Sequence, residues 1–290
     1  MSERPIPLFE RLEIETQSNC NRACWFCPRI QDSSGIYLDA HGTAVIAQMP
    51  DETVLGVLDQ AASLGFDGKV AFYFYSEPFL DKRNIDFARQ ARDHGMKPYV
   101  HTNGDVLKHD EALCRQVRDV YEQVVVGIYD YDTDDELESA KKFWRARLSG
   151  CNLHFSTIGT GAAGSAPSMG VPRALVPTDR RFSVPDLVFS NAPCHRPLIR
   201  LILRYDGQMC MCCEDLHGDF GLGNIHESTV EELWYSDRHV RMVQDLIAGR
   251  RDKYALCRNC PMSPSARPAD GSRISFEPRS SGPVRRVGRR

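Results

Sequence analysis

Short stretches with strand-like patterning alternate with longer stretches of helical periodicity between residues 10 and 158. Alternating polar and apolar side chains predict a strand over 10–16, and the spacing of apolar residues predicts a helix over 51–64. Further strands are predicted over 70–75, 97–101, 124–129 and 153–158, and further helices over 81–94, 110–120 and 133–148. This alternation predicts right-handed βαβ units, a parallel sheet and a partial βα barrel whose chemistry lies at the C-terminal ends of the strands.

The rest of the chain has a different composition. Residues 161–193 begin with a run rich in Gly, Ala, Ser and Pro, which predicts a loop or linker. The Asp206-Gly207 pair predicts a β-hairpin between 199–205 and the residues that follow it, and 228–245 has helical spacing. The segment 263–290, rich in Pro, Arg, Ser and Gly, is expected to be a disordered basic tail.

Composition narrows the class of protein. The 290 residues are 42% hydrophobic, enough for one sizeable core and a smaller module, and they include 11 cysteines. We find no apolar leader and no run long enough to cross a membrane, so we expect a cytoplasmic protein whose reduced thiols bind metal. Seven arginines against two acidic residues give the tail a charge of about +5. Without interleaved aromatic residues this is expected to be a solvated end that binds no nucleic acid.

Three cysteines define the most informative motif of the chain. Cys20, Cys24 and Cys27 form a C-x3-C-x2-C loop directly after the first predicted strand. Thiolates are the ligands of iron–sulfur clusters, and a [4Fe–4S] cube held by three of them keeps one iron open for another molecule. A closed zinc site would need a fourth ligand, and the sequence offers none nearby.

A second group of six cysteines lies between residues 194 and 260. Cys257 and Cys260 form a C-x2-C pair, which by itself suits zinc as well as iron. The other four are Cys194, Cys210, Cys212 and Cys213. If the predicted hairpin alternates, Cys210 and Cys212 face the same side, so either could be a ligand. Cys114 and Cys151 are expected to be ordinary core or surface thiols.

The cysteine loop resembles that of the radical S-adenosylmethionine (SAM) enzymes, in which SAM chelates the open iron. The resemblance implies that Phe26 lies near the adenine of SAM. Ser76-Glu77-Pro78 resembles the family motif that holds the amino group of SAM, although Tyr75 and Ser76 replace its glycines. Thr102-Asn103-Gly104 resembles a second family motif. The implied cofactor-binding residues are Phe26, Ser76, Glu77, Thr102 and Asn103.

The C-terminal cysteines resemble those of a twitch module, a short form of the SPASM domain that holds an auxiliary [4Fe–4S] cluster. The resemblance is carried by Cys-Cys-Glu-Asp, Leu-Gly-Asn-Ile and Leu-Cys-Arg-Asn-Cys, and it implies a ligand set of Cys194, Cys212, Cys257 and Cys260. The expected fold is therefore α/β: a partial (β/α)6 radical SAM barrel (8–160), a linker (161–193), a small hairpin-plus-helix cluster module (194–262) and the tail (263–290).

The chain also resembles the radical SAM dehydrogenases and epimerases of aminoglycoside biosynthesis, which act on amino sugars or aminocyclitols. It implies that Tyr75, His101 and Glu214 bind substrate and that Cys213 occupies a pocket position. A thiol there can return a hydrogen atom to a substrate radical, so the first hypothesis is an epimerase with Cys213 as donor. The alternative is a dehydrogenase, whose family arginine base has no counterpart in Gly159-Thr160-Gly161-Ala162-Ala163.

A non-catalytic iron–sulfur or zinc protein remains a third possibility at this point. The segments around Glu77 and Asn103 argue against it, because a scaffold has no need of them. If the chain is an enzyme, the resemblance implies a flavodoxin or ferredoxin as electron donor. No Gly-rich phosphate loop is present, which argues against nucleotide hydrolysis.

Overall fold

The strands form one mainly parallel sheet. A computed structural model describes residues 4–24, 27–32, 34–131, 133–157, 192–258 and 260. In these residues seven strands pair in the order β5-β4-β3-β2-β1-β6-β7, parallel except for the antiparallel pair β6–β7. Their bounds are β1 Arg11–Ile14, β2 Lys69–Ala71, β3 Lys97–Thr102, β4 Gln123–Ile128, β5 Leu153–Thr157, β6 Arg200–Leu203 and β7 Met209–Cys210.

Helices connect these strands and cover one face of the sheet. Their bounds are α1 Asp51–Ser63, α2 Asn84–Asp93, α3 Asp105–His109, α4 Glu111–Val120, α5 Asp134–Arg147, α6 Arg196–Ile199, α7 Val230–Trp234, α8 Asp237–Ile247 and α9 Ala255–Arg258. Short 3-10 turns lie at Pro28–Gln31, Pro78–Leu80 and Arg251–Lys253. The predicted βαβ alternation and parallel sheet are confirmed.

Strand alternation separates an apolar face from a polar one. Apolar strand residues such as Leu12, Val70 and Leu201 are fully buried in the main core. The neighbouring positions on the other face carry charged and polar groups: Tyr99 donates a hydrogen bond to Glu13, and Arg200 lies 3.3 Å from the same carboxylate. A polar interior suits a small, hydroxyl-rich ligand better than an apolar one.

The structure corrects two element predictions. The strand predicted over 70–75 ends at Ala71, because the next backbone amides turn to other partners: Tyr75 N donates to Glu15 Oε1 and Glu77 N donates to Asn19 O. The helix predicted over 228–245 is two helices, because Ser236 accepts a hydrogen bond from His239 N and begins a new one.

A short helix that the sequence did not predict follows β3. α3 begins after Gly104, whose backbone has φ +81°. A side chain at this position would collide with the ring of Trp144 on α5. The glycine therefore provides both the left-handed turn and the space for the tryptophan.

The predicted hairpin at Asp206-Gly207 is confirmed, and its first strand has a second role. β6 pairs antiparallel with β7 on one edge and parallel with β1 on the other. The register joins Arg11 to Arg200 and Glu13 to Ile202. The hairpin thus extends the same sheet that carries the cysteine loop, and the two cysteine groups belong to one continuous framework.

Candidate active site and metal centres

The first cysteine group lies in the loop that leaves β1. The thiols of Cys20, Cys24 and Cys27 are partly buried, and Cys27 N donates to Cys24 O at 2.9 Å in a tight turn. Burial raises the pKa of Cys24 to about 11, and the neighbouring thiols Cys27 and Cys20 contribute to this shift. Three thiolates this close repel one another unless positive charge lies between them. The loop therefore fits a metal cluster with three protein ligands.

Ion pairs anchor this loop to the ends of other strands. Arg22 donates to both carboxylate oxygens of Asp105, at 2.6 and 2.5 Å, and its Nη1 lies 2.8 Å from Asp130 Oδ2. Asn103 Nδ2 donates to Asn21 Oδ1 at 2.8 Å. These bonds bring the ends of β1, β3 and β4 together, as expected for the chemical edge of a parallel sheet.

Glu77 joins the two other predicted cofactor segments. Thr102 Oγ1 donates to Glu77 Oε1 at 2.5 Å, and Asn103 N donates to Glu77 Oε2 at 2.8 Å. Burial raises the pKa of Glu77 to about 7 despite these hydrogen bonds. The backbone of Glu77 contacts Asn19, next to Cys20, so this carboxylate lies beside the cysteine loop.

The hydroxyl group of the residue before Glu77 lacks a hydrogen-bond partner among the described residues. Ser76 Oγ is buried and has no hydrogen-bond partner among the described residues. A buried hydroxyl without a partner is costly, and a buried carboxylate next to it favours a cationic ligand. Together with the three thiols, these groups fit the ammonium and carboxylate groups of an amino acid such as the methionine part of SAM.

The second cysteine group is assembled from distant segments. Cys212 is partly buried. Burial raises its pKa, and the nearby Cys213, Cys260 and Cys257 raise it further. Burial raises the pKa of Cys257 to about 12, with further contributions from Cys260 and Cys194. Four thiols from three parts of the chain thus share one region.

The four thiols form a ligand set that suits an iron–sulfur cluster. A cube places its cysteines on four different iron atoms, so it accepts thiols from separate parts of the chain. The quartet therefore fits a [4Fe–4S] cluster, although the C-x2-C pair by itself suits zinc as well.

Cys210 belongs to a different environment from Cys212. Its side chain is fully buried, and the charged groups that act on its pKa are Asp215, Arg204 and Glu15, not the cysteine quartet. The expectation that Cys210 and Cys212 face the same side assumed a strand through both. β7 ends at Cys210, and a bend follows it, so the alternation stops there.

Cys213 is turned toward the polar interior. Its Sγ lies 3.9 Å from Glu214 Oε1. Burial raises the pKa of this thiol, while the nearby Arg196 and Arg200 oppose the shift. The backbone carbonyl of Cys213 accepts a 2.6 Å hydrogen bond from the Tyr75 hydroxyl. The segment next to Glu77 therefore contacts the loop that carries Cys212 and Cys213.

His101 lies at the end of β3 in a chain of hydrogen-bonding groups. Its Nε2 is 3.0 Å from the Tyr129 hydroxyl, which donates to Ser156 Oγ at 3.1 Å. Burial lowers the pKa of His101 to about 4, so the imidazole is neutral near pH 7. Tyr129 folds back over Gly127, where any side chain would collide with its ring.

Sequence reasoning missed several charged residues of the interior. Glu13 and Arg200 form a buried ion pair, and Arg196 lies close to Cys213 and Cys194. A usable signal was present in Arg11-Leu12-Glu13-Ile14-Glu15: its alternation predicts a strand, and its charged positions must then face either solvent or a polar interior. The two arginines gave no comparable signal, because β6 was expected outside the main sheet.

The two remaining cysteines are core or surface thiols, as predicted. Cys114 is fully buried in the core, and Cys151 packs against that core while partly exposed. Phe26, the linker after Thr157 up to residue 191, and the tail lie outside the described residues.

Every helix in the described ranges is too short or too polar to span a lipid bilayer.

Comparisons with known proteins agree with this geometry. Residues 194–261 match the SPASM family, described as an iron-sulfur cluster-binding domain. Over 266 residues the chain is 26% identical to the S-adenosyl-L-methionine-dependent 2-deoxy-scyllo-inosamine dehydrogenase of Niallia circulans, covering 87% of this chain and 93% of the relative.

Solved structures share the fold. The crystal structure of BtrN in complex with AdoMet and 2-DOIA matches with a TM-score of 0.64 at 21% identity, covering 88% of this chain and 94% of the other. The native anSMEcpe with bound AdoMet matches with a TM-score of 0.52 at 13% identity, over 88% of this chain and 88% of the other. The predicted resemblance to radical SAM enzymes with a SPASM-type module is confirmed, and so is the α/β fold class. The relative is an S-adenosyl-L-methionine-dependent dehydrogenase and the matched family binds an iron-sulfur cluster, so the predicted oxidoreductase class and cofactors agree with both comparisons.

Proposed function

We propose that this radical SAM enzyme oxidises a secondary alcohol of an aminocyclitol or amino sugar to a ketone. The similarity to a 2-deoxy-scyllo-inosamine dehydrogenase over most of both chains carries the proposal. It reverses the order of the two hypotheses drawn from the sequence, because the relative is a dehydrogenase and not an epimerase. Epimerisation stays as the second candidate.

The cofactor roles are assigned to residues that meet at the ends of β1 to β3. Cys20, Cys24 and Cys27 would ligate the SAM-chelating [4Fe–4S] cluster. Ser76, Glu77, Thr102 and Asn103 would hold SAM, with Glu77 as the partner of its ammonium group and Thr102 and Asn103 fixing that carboxylate. Phe26 is proposed to pack near the adenine.

The auxiliary cluster is assigned to Cys194, Cys212, Cys257 and Cys260. When bound, the cluster–SAM pair supplies the radical that removes a hydrogen atom from carbon, and the auxiliary cluster supplies an acceptor for the electron released from the substrate. The module over 194–262 places Cys213 and Glu214 directly after one ligand, so the acceptor and the substrate contacts come from one loop. We propose the barrel at 8–160, the linker at 161–193 and the basic tail at 263–290 as the other parts.

The polar interior provides the proposed substrate contacts. His101 and Glu214 border this region together with the buried pair Glu13–Arg200. A carboxylate and hydrogen-bonding rings suit the ammonium and hydroxyl groups of an aminocyclitol. Tyr75 orients the pocket loop, since its hydroxyl bonds to the carbonyl of Cys213.

Cys213 is the specific observation that favours the second candidate. Its thiol is protonated, since burial raises its pKa, and it lies beside Glu214 in the interior. An S–H group there could return a hydrogen atom to the substrate carbon from the opposite face and invert it. The thiol would then need one electron and one proton to be restored. A flavodoxin or ferredoxin is the proposed electron donor, and the cytoplasm the proposed location.

One experiment separates the two candidates. Anaerobically reconstituted enzyme is given SAM, dithionite and 2-deoxy-scyllo-inosamine in deuterated water, followed by mass spectrometry of the product. Loss of two hydrogens and a carbon free of solvent deuterium supports oxidation. An isomer of the substrate that carries one carbon-bound deuterium supports epimerisation, provided that the Cys213→Ala variant does not form this isomer. A reconstituted protein that releases no 5′-deoxyadenosine with any aminocyclitol or amino sugar contradicts both.

A further inference from the structure

An oxidation of this kind needs a group that takes the hydroxyl proton of the substrate. The reaction removes a hydrogen atom from carbon, one proton from oxygen and one electron from the substrate radical. When bound, SAM would supply the radical that takes the hydrogen atom, and a cluster held by the C-terminal cysteines would supply the one-electron acceptor. The proton alone has no assigned destination.

Most polar groups of the described interior are unsuited to accept it. Arg196 and Arg200 are guanidinium groups, which stay protonated. Glu13 already accepts from Tyr99 and pairs with Arg200.

His101 differs from these groups in having an open acceptor. Its Nε2 pairs with the Tyr129 hydroxyl, and among the described residues no partner lies at Nδ1. The side chain keeps part of its surface accessible. In the tautomer whose Nε2 carries the hydrogen and donates it to Tyr129, Nδ1 carries a lone pair.

The position of His101 also suits contact with the reacting carbon. It directly precedes Thr102, whose hydroxyl holds Glu77 beside the cysteine loop. Glu13 and the Tyr73 ring border the imidazole on the interior side. The side chain therefore faces the interior assigned to substrate, at the end of the strand whose last residue is Thr102.

We propose that His101 accepts the hydroxyl proton of the substrate at Nδ1 while Nε2 stays bonded to the Tyr129 hydroxyl. This assignment rests on the proposed dehydrogenase function. The O–H bond of the substrate breaks, its electron pair stays on oxygen as the C=O bond forms, and an N–H bond forms at Nδ1. The imidazole becomes an imidazolium, whose positive charge lies near the Glu13 carboxylate. The ring returns this proton to solvent after the ketone leaves.

Two structural details hold the imidazole in this position. Gly127 leaves the space that lets the Tyr129 ring reach His101, so a larger residue would remove the link. β4 and β5 are in register at Gly127 and Ser156, which fixes the serine next to that ring.

The test compares His101→Gln and Tyr129→Phe with wild type, using 2-deoxy-scyllo-inosamine that carries deuterium on its ring carbons. The variants should still transfer substrate deuterium into 5′-deoxyadenosine, while ketone formed per 5′-deoxyadenosine falls by roughly 100-fold in His101→Gln. Tyr129→Phe should lower the same ratio by a smaller factor. His154→Gln on β5, whose histidine is exposed and bonded to Asn152, is the matched control and should leave the ratio unchanged.

The outcomes separate this inference from the function on which it rests. Iron content and substrate affinity of each variant are measured first, so that a folding or binding defect is recognised. If His101→Gln has such a defect, the ratio in Tyr129→Phe, which keeps the imidazole, decides whether the proposal holds. An unchanged ratio in both variants overturns the role of His101 and leaves the dehydrogenase intact. A loss confined to Glu214→Gln would also overturn it. If wild type gives an epimer in place of a ketone, the dehydrogenase proposal itself fails.

Discussion

The two cysteine groups differ in how the chain assembles them. Cys20, Cys24 and Cys27 come from one eight-residue loop, remain partly exposed and are anchored by Arg22 to Asp105 and Asp130. The C-terminal quartet is drawn from distant segments, and its thiols are partly buried as well. A local group of three leaves room for an exchangeable ligand, whereas a dispersed group of four encloses its metal and ties the chain together.

The largest expected effect tests the N-terminal group of three cysteines, Cys20, Cys24 and Cys27, which we call the open group. Cys20→Ala should abolish 5′-deoxyadenosine formation, because a cube with two protein ligands cannot present a defined open iron. Anaerobic reconstitution followed by chromatography of the nucleoside products measures this. Cys151→Ala, a thiol that packs against the core far along the sequence, should retain wild-type product formation; equal loss in both variants would contradict the assignment.

The next effect tests the C-terminal quartet, which we call the enclosed group. It also distinguishes which of two neighbouring cysteines is a ligand. Cys212→Ala should lower iron from about eight to about four atoms per chain, with 5′-deoxyadenosine still released. Cys210→Ala should keep all of the iron, since Cys210 lies among Asp215, Arg204 and Glu15, away from the quartet. Iron analysis and electron paramagnetic resonance of the reduced proteins provide the measurement. The reverse pattern would make Cys210 the ligand.

The smallest effect concerns pH at the open group. Burial raises the pKa of Glu77 to about 7, so this carboxyl gains a proton as pH falls below neutrality. SAM carries an ammonium group that favours the ionised carboxylate, so SAM affinity should fall by up to about tenfold per pH unit below 7 and level off above it. Glu77→Gln should bind SAM more weakly and without this pH dependence. Equilibrium binding between pH 5.5 and 8.5 tests both statements.

The same contrast explains what the sequence could predict. The open group is local, so its spacing is visible in 20–27, and the helices over 51–63 and 134–147 follow from periodicity that tertiary contacts do not override. The place of Cys210 and the pairing of β6 with β1 depend on residues almost two hundred positions apart. Periodicity contains no information about such pairings, because it reports only which face of an element is apolar.

The interior network shows a similar limit. His101 was predicted to contact substrate from resemblance, yet its link to Tyr129 requires the absence of a side chain at Gly127 and the register between β4 and β5. A glycine within an apolar strand signals a close approach without naming the partner. Such relations become visible only when the strands are placed side by side.

The pairing of β1 with β6 sets an order of events during synthesis. β1 leaves the ribosome early, but its second neighbour is encoded about 190 residues later, so the sheet cannot be completed until most of the polypeptide exists. Until then β1 has an unpaired edge, which invites association with other nascent chains. Slow translation or an early stop codon before residue 200 would therefore endanger the amino-terminal half as well as the part that is missing.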